Sequence, residues 1–181
     1  MTSTAHLDPT TATAPWSLHP DRALPADPVL RPLAREVYAA TRDLPIVSMH
    51  GHVDAALLAD DAPFGDPAAL FVTPDHYLVR MLVAQSTSPH GAPGVHGVQD
   101  LGVAPVPGAP DGTAPAETDP REIWRRFCAG WHLFRGTPTR YWTEHALVEV
   151  FGAPVKPSAQ TADALYDHLV DRLARPEFRP R

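Results

Sequence analysis

Apolar positions along this chain recur mostly at intervals of three and four residues, the spacing that gathers them on one face of a helix. Over residues 27–42, Val29, Leu30, Leu33, Val37 and Tyr38 form such a stripe, and Asp27-Pro28 ahead of it joins a capping carboxylate to a proline at the first helical position. The same punctuation recurs. Asp66-Pro67 predicts a short helical turn through Leu70, and Thr73-Pro74 a helix carrying Tyr77, Leu78, Met81 and Leu82. Asp119-Pro120 opens a helix to about Phe134, with Glu122 placed to complete a capping box and Ile123, Trp124, Phe127 and Trp131 on the face expected in the core. Gly136-Thr137-Pro138 breaks it. Thr143 reads as the cap of a short helix ended by Phe151-Gly152. Ser158 or Thr161 caps the last one, with Leu165, Leu169 and Leu173 four apart and Pro176 as its stop.

The period changes once. Pro45-Ile46-Val47 is a short apolar run leading into His50-Gly51-His52, and it reads as one strand, Ile46 to His52. In a strand, residues two apart face the same way, so His50 and His52 project side by side, with Gly51 leaving room between them. Two converging imidazoles can hold a divalent metal, or they can be two solvated histidines at a polar strand end. A lone strand leaves its backbone donors and acceptors unmet. It therefore needs neighbours that the rest of this helical sequence does not provide.

Composition narrows the class. The 181 residues suffice for one domain with a sizeable core, 44% are hydrophobic, and a net charge of −6 disfavours nucleic acid or an anionic membrane as partner. No run is long and apolar enough for a membrane span. Cys128, the lone cysteine, falls on the apolar side of a helical pattern and reads as a buried inert thiol in a reducing, cytoplasmic chain. Residues 1–16 read as a disordered leader without signal-peptide features. Residues 86–118, rich in Pro, Gly, Ala and Val without a period, read as a mobile insertion in which His90 and His96 are solvated. His132 and His145, beside Trp131 and Trp142, read as packing residues near buried indoles.

Taken together and in order, LHPDRALPADP, LPIVSMHGHVD, TPDHYLVRML, DPREIWRRFC, WHLFRGTPTRYW and EVFG resemble the N-terminal part of the uronate (glucuronate) isomerases, of the amidohydrolase superfamily. The resemblance covers residues 17–181. It implies an α/β fold class: a mostly helical fragment of a (β/α)8 TIM-like barrel, holding the first barrel strand and a helical insertion after it. It also implies interconversion of D-glucuronate with D-fructuronate and of D-galacturonate with D-tagaturonate. His50 and His52 would be ligands of a divalent metal, commonly zinc. Asp75-His76-Tyr77 would lie against the sugar acid, with His76 and Tyr77 contacting it and Arg80 facing its carboxylate. A uronate is then the expected small-molecule partner, in a chain able to form a homo-oligomer.

The chain departs from the family pattern at Ala55, where a proline is usual, and at Ala146, where a glutamate is. A full barrel takes about 250 residues, and the later strands, with a further aspartate ligand and the carboxylate-binding arginines, are not in this sequence. The 181-residue chain is therefore expected to be inactive alone. On the residues themselves Tyr77 fits core or pocket, His76 fits an exposed first turn, and Arg80 fits a surface ion pair. Two other functions fit the sequence: another metal-dependent hydrolase of the same superfamily, and a non-catalytic helical binding module.

Overall fold

The computed structural model describes residues 15–51, 53–86 and 119–180, without the side chains of 83–86. Most of the leader, His52, and all of the 86–118 segment beyond Ser86, with His90 and His96, lie outside the described residues. Seven helices follow in order: α1 Leu30–Thr41, α2 Ala55–Asp60, α3 Pro67–Phe71, α4 His76–Ser86, α5 Pro120–Ala129, α6 Pro138–His145 and α7 Ala162–Leu173. A 3-10 turn at Trp131–Phe134 follows α5, a π-helical turn at Ala146–Val150 extends α6, and a second 3-10 turn covers Pro176–Phe178.

The polar caps act largely where the sequence puts them. Asp66 Oδ1 accepts from the N–H groups of Ala68 and Ala69, and Asp119 from that of Arg121, each ahead of a proline at the first helical position. Asp27 Oδ1 accepts from Val29 and Leu30, in a turn leading into α1. Three readings need correction. α4 is capped by Asp75, which accepts from Tyr77 and Leu78, and not by Thr73. α6 begins at Thr137, whose hydroxyl accepts from Arg140 N–H, so Thr143 is a buried residue inside the helix. α2, capped by Asp54, has no proline to announce it and is absent from the sequence reading.

The core lies among α3, α5 and α7, with α4 against the 3-10 turn after α5. Trp124, Phe127 and Phe134 are fully buried, as are Leu147, Leu165 and Leu169. Each such side chain contributes roughly 1.5–3 kcal/mol by leaving water. Trp124 Nε1 donates to the Ala162 carbonyl at 3.0 Å, which ties α5 to the start of α7. The rings of Phe71, Trp124, Phe127 and Trp131 follow one another at 5.2–6.2 Å. Trp16 is half-buried against this core, its backbone N–H donating to the Pro154 carbonyl at 3.0 Å.

Two features lack the neighbours they would need. Residues 45–51 form no strand; they are irregular chain that bends at Met49, with Ile46 94% and Met49 93% exposed. A strand is completed by pairing, and among the described residues there is no second strand, so the described chain is helical. The α1 stripe is the other case: Val29, Leu30, Leu33, Val37 and Tyr38 are all exposed, and α1 buries nothing. α1 is held by polar ties instead, Arg35 pairing with Asp21 and Arg31 donating to the carbonyls of Pro25 and Ala26.

Candidate functional site

His50 stands on the extended segment after α1, exposed, with Ser48 Oγ donating to its carbonyl at 2.8 Å. A Cβ added at Gly51 would meet nothing within 4 Å, so nothing described requires glycine there, and the backbone beside His50 is open to approach. Asp54, next along, is engaged as the cap of α2. Among the described residues no three His, Cys, Asp or Glu side chains gather as a metal centre. A catalytic-type zinc site takes three protein ligands, one more than the expected His50 and His52 pair.

The second group sits at the start of α4. Asp75 is committed to backbone N–H groups as a cap, which fixes the first turn and turns His76 and Tyr77 outward. The two rings pack against each other with centroids 4.2 Å apart. Tyr77 is 65% exposed, so of the two readings, core or pocket, core does not hold; Leu78, Val79 and Leu82 provide the buried side of α4. Arg80 is exposed one turn along. α4 therefore presents imidazole, phenol and guanidinium on its solvent side. These groups suit hydrogen bonding to sugar hydroxyls and bidentate pairing with a carboxylate.

The other chemistry-bearing residues are structural or turned to solvent. Cys128 is 0% exposed, and burial pushes its thiol well above the usual range, the nearby Asp163 carboxylate adding to the shift. His132 and His145 are exposed, His145 Nδ1 facing Arg22 Nη2 at 3.2 Å; Trp142, expected buried, is 66% exposed. Sequence reasoning passed over Arg22, which lies within LHPDRALPADP but carries no spacing signal of its own.

No family profile matches the chain. Individual proteins do. The chain is 47% identical over 164 residues to the uronate isomerase of Rhizobium meliloti, covering 91% of this chain and 32% of that one. It is 46% identical over 169 residues to the uronate isomerase of Phenylobacterium zucineum, covering 93% and 32%. Its structure matches the crystal structure of glucuronate isomerase from Caulobacter crescentus with a TM-score of 0.74 at 42% identity, covering 92% of this chain and 32% of that one. The uronate isomerase from Thermotoga maritima, at 24% identity and a TM-score of 0.60, shares the fold. The chain spans about a third of the length of the curated relatives it matches. Over that third, in sequence and in fold, it is similar to the uronate isomerases.

Proposed function

We propose that this chain supplies one part of a uronate isomerase that interconverts D-glucuronate with D-fructuronate and D-galacturonate with D-tagaturonate. The observation that carries the reading is the 46–47% identity to uronate isomerases over more than nine-tenths of the chain. In this reading residues 46–52 become the first strand of a (β/α)8 barrel once neighbouring strands are present, and the helices from α2 onward form the insertion after it. The exposed apolar groups of α1 and of Ile46, Val47 and Met49 support it, since they await a covering surface. The lone buried thiol fits a cytoplasmic setting.

His50 and His52 would hold a divalent metal, zinc by preference. Bound there, the metal supplies Lewis-acid stabilisation of oxyanion charge during aldose–ketose interconversion. His76 and Tyr77 present donors and a ring face to the sugar, and Arg80 presents its guanidinium to the carboxylate. An exposed imidazole beside an open glycine fits that role, and the two-ligand count sets its limit: the 181-residue chain should bind zinc weakly, and His50→Ala should abolish that binding in calorimetric titration.

Activity is tested by following fructuronate formation from D-glucuronate. The chain alone should give no turnover, because catalytic groups acting as a unit leave little rate when several are missing. Mixed with a polypeptide covering the remaining two-thirds of the Rhizobium meliloti enzyme, it should give turnover that His50→Ala removes. A complemented enzyme that hydrolyses esters or amides and leaves uronates untouched would sink the proposal.

A further inference from the structure

The segment ahead of α1 and the beginning of α6 border an open cleft of about 370 Å³, lined chiefly by Arg22, Thr137, Arg140, Tyr141 and Glu144. That volume falls within the range of small-molecule sites, roughly 300–1,000 Å³. The charges in it do not balance. Arg140 has its counter-charge: Nε meets Glu144 at 2.5 Å, Nη1 donates to the Trp131 carbonyl at 3.1 Å, and the guanidinium stacks on the Trp131 ring at 4.1 Å. Glu144, the carboxylate of the lining, is thereby committed. The Thr137 hydroxyl is committed too, donating to the Phe134 carbonyl and accepting from Arg140 N–H.

Arg22 has no such counter-charge. Its guanidinium lies over the Tyr141 ring at 4.8 Å, and Nη2 donates to His145 Nδ1 at 3.2 Å. Its Nε is buried without an acceptor, and no carboxylate pairs with it among the described residues. Several arginines that fasten the fold sit on a carboxylate: Arg35 on Asp21, Arg121 and Arg125 on Asp163, Arg175 on Asp171, Arg179 on Asp61. Arg172, over the Phe178 ring, shares the buried Nε without an acceptor, so what sets Arg22 apart is its place in the cleft. Arg135, the neighbour of Gly136 at the cleft, is exposed and likewise has no ion pair among the described residues. A partly desolvated guanidinium with unmet donors is costly unless something accepts from it.

We propose that this cleft binds a small oxyanion, a carboxylate or phosphate group, with Arg22 as its charge partner. The ring of Tyr141 holds the guanidinium plane, and the enclosed Nε leaves the Nη1–Nη2 edge to meet two oxygens of the ligand, displacing His145 from Nη2. The site is separate in sequence from His50 and α4, and its test does not depend on isomerase activity.

The test is calorimetric titration of the 181-residue chain with inorganic phosphate and, separately, with acetate, at constant ionic strength held with chloride. Saturable binding of either is expected, weakened about tenfold or more by Arg22→Gln and unchanged by Arg175→Gln, which removes an arginine at the far end of α7. Arg22→Lys, keeping charge but losing the planar fork, should fall between. If Arg22→Gln does not fold, the Nε–H resonance of Arg22 in the unaltered chain decides: it should move with phosphate and not with chloride. No binding of either anion, equal binding by Arg22→Gln, or an equal response to chloride overturns the assignment.

Discussion

Cys128 and Gly130 lie two residues apart, and what surrounds each sets what it can do. The Cys128 thiol is sealed in the core, and its raised pKa withholds the thiolate that is the reactive species. A thiol reagent at pH 8 should therefore label the folded chain far more slowly than the chain in denaturant; equal rates would mean the α5 face is open. Gly130 ends α5 with ordinary negative φ, so alanine is conformationally allowed and would gain up to about 1 kcal/mol from a stiffer unfolded chain. A Cβ there, however, would lie 2.6 Å from Leu82 Cδ2, itself buried, and 3.3 Å from the Arg126 carbonyl. Overpacking of this kind costs about 1–3 kcal/mol. Steric crowding wins. Gly130→Ala should lower the midpoint of denaturant unfolding without changing the slope.

Between elements, α5 and α7 are joined by apolar packing inside and by ion pairs at the rim. Asp163 of α7 accepts from Arg125 Nε at 2.9 Å and from Arg121 Nη1 at 3.3 Å, while Arg121 also reaches Asp167 at 2.5 Å. The hydrogen bond from Arg125 is the main cause that holds the Asp163 carboxyl below its ordinary value, burial opposing it and Arg121 assisting. A carboxylate whose folded pKa is depressed contributes stability above its unfolded value, about 3.9, and that contribution is lost as pH falls through the folded value. Asp163→Asn should thus melt earlier than the unaltered chain at pH 7, by a modest margin because these are half-exposed pairs. The gap should close as pH is lowered below about 4. A gap independent of pH would mean the carboxylate charge contributes nothing.

At the scale of the whole molecule the chain has two parts of different character. Among the described residues, 64–82 and 123–178 close a core of their own, while residues 29–58 expose Val29, Leu33, Val37, Tyr38, Ile46, Val47, Met49 and Leu58. Exposed apolar side chains in such number along one stretch of chain suit contact with another surface. Leu33→Ser with Val37→Ser should shift stability by no more than about 0.5 kcal/mol, because neither side chain is buried. The same pair of changes should reduce binding of a hydrophobic dye and weaken complementation by the remaining two-thirds of a relative. A large loss of thermal stability would show that α1 packs on this chain's own body.

Helix starts were legible because capping is local: Asp66, Asp119 and Asp27 each satisfy N–H groups two or three residues ahead, and the following proline needs no partner elsewhere. The buried faces of α5 and α7 were legible for a related reason. Trp124, Phe127, Leu165 and Leu169 repeat at helical spacing on helices that do meet in the core. The His50-Gly51-His52 and His76-Tyr77 groups were likewise readable as residue types at a spacing. Tertiary structure decided what depends on neighbours. The α1 stripe has the same periodicity as that of α5, yet nothing described covers it, since periodicity states which face is apolar and not what lies against it. Ile46 and Val47 have strand-forming side chains, but a strand exists only through hydrogen bonds to another strand, and the described chain offers none. Arg22, unremarkable in sequence, is singled out only when folding places it over Tyr141, 123 residues from its partner His145, with no carboxylate brought along.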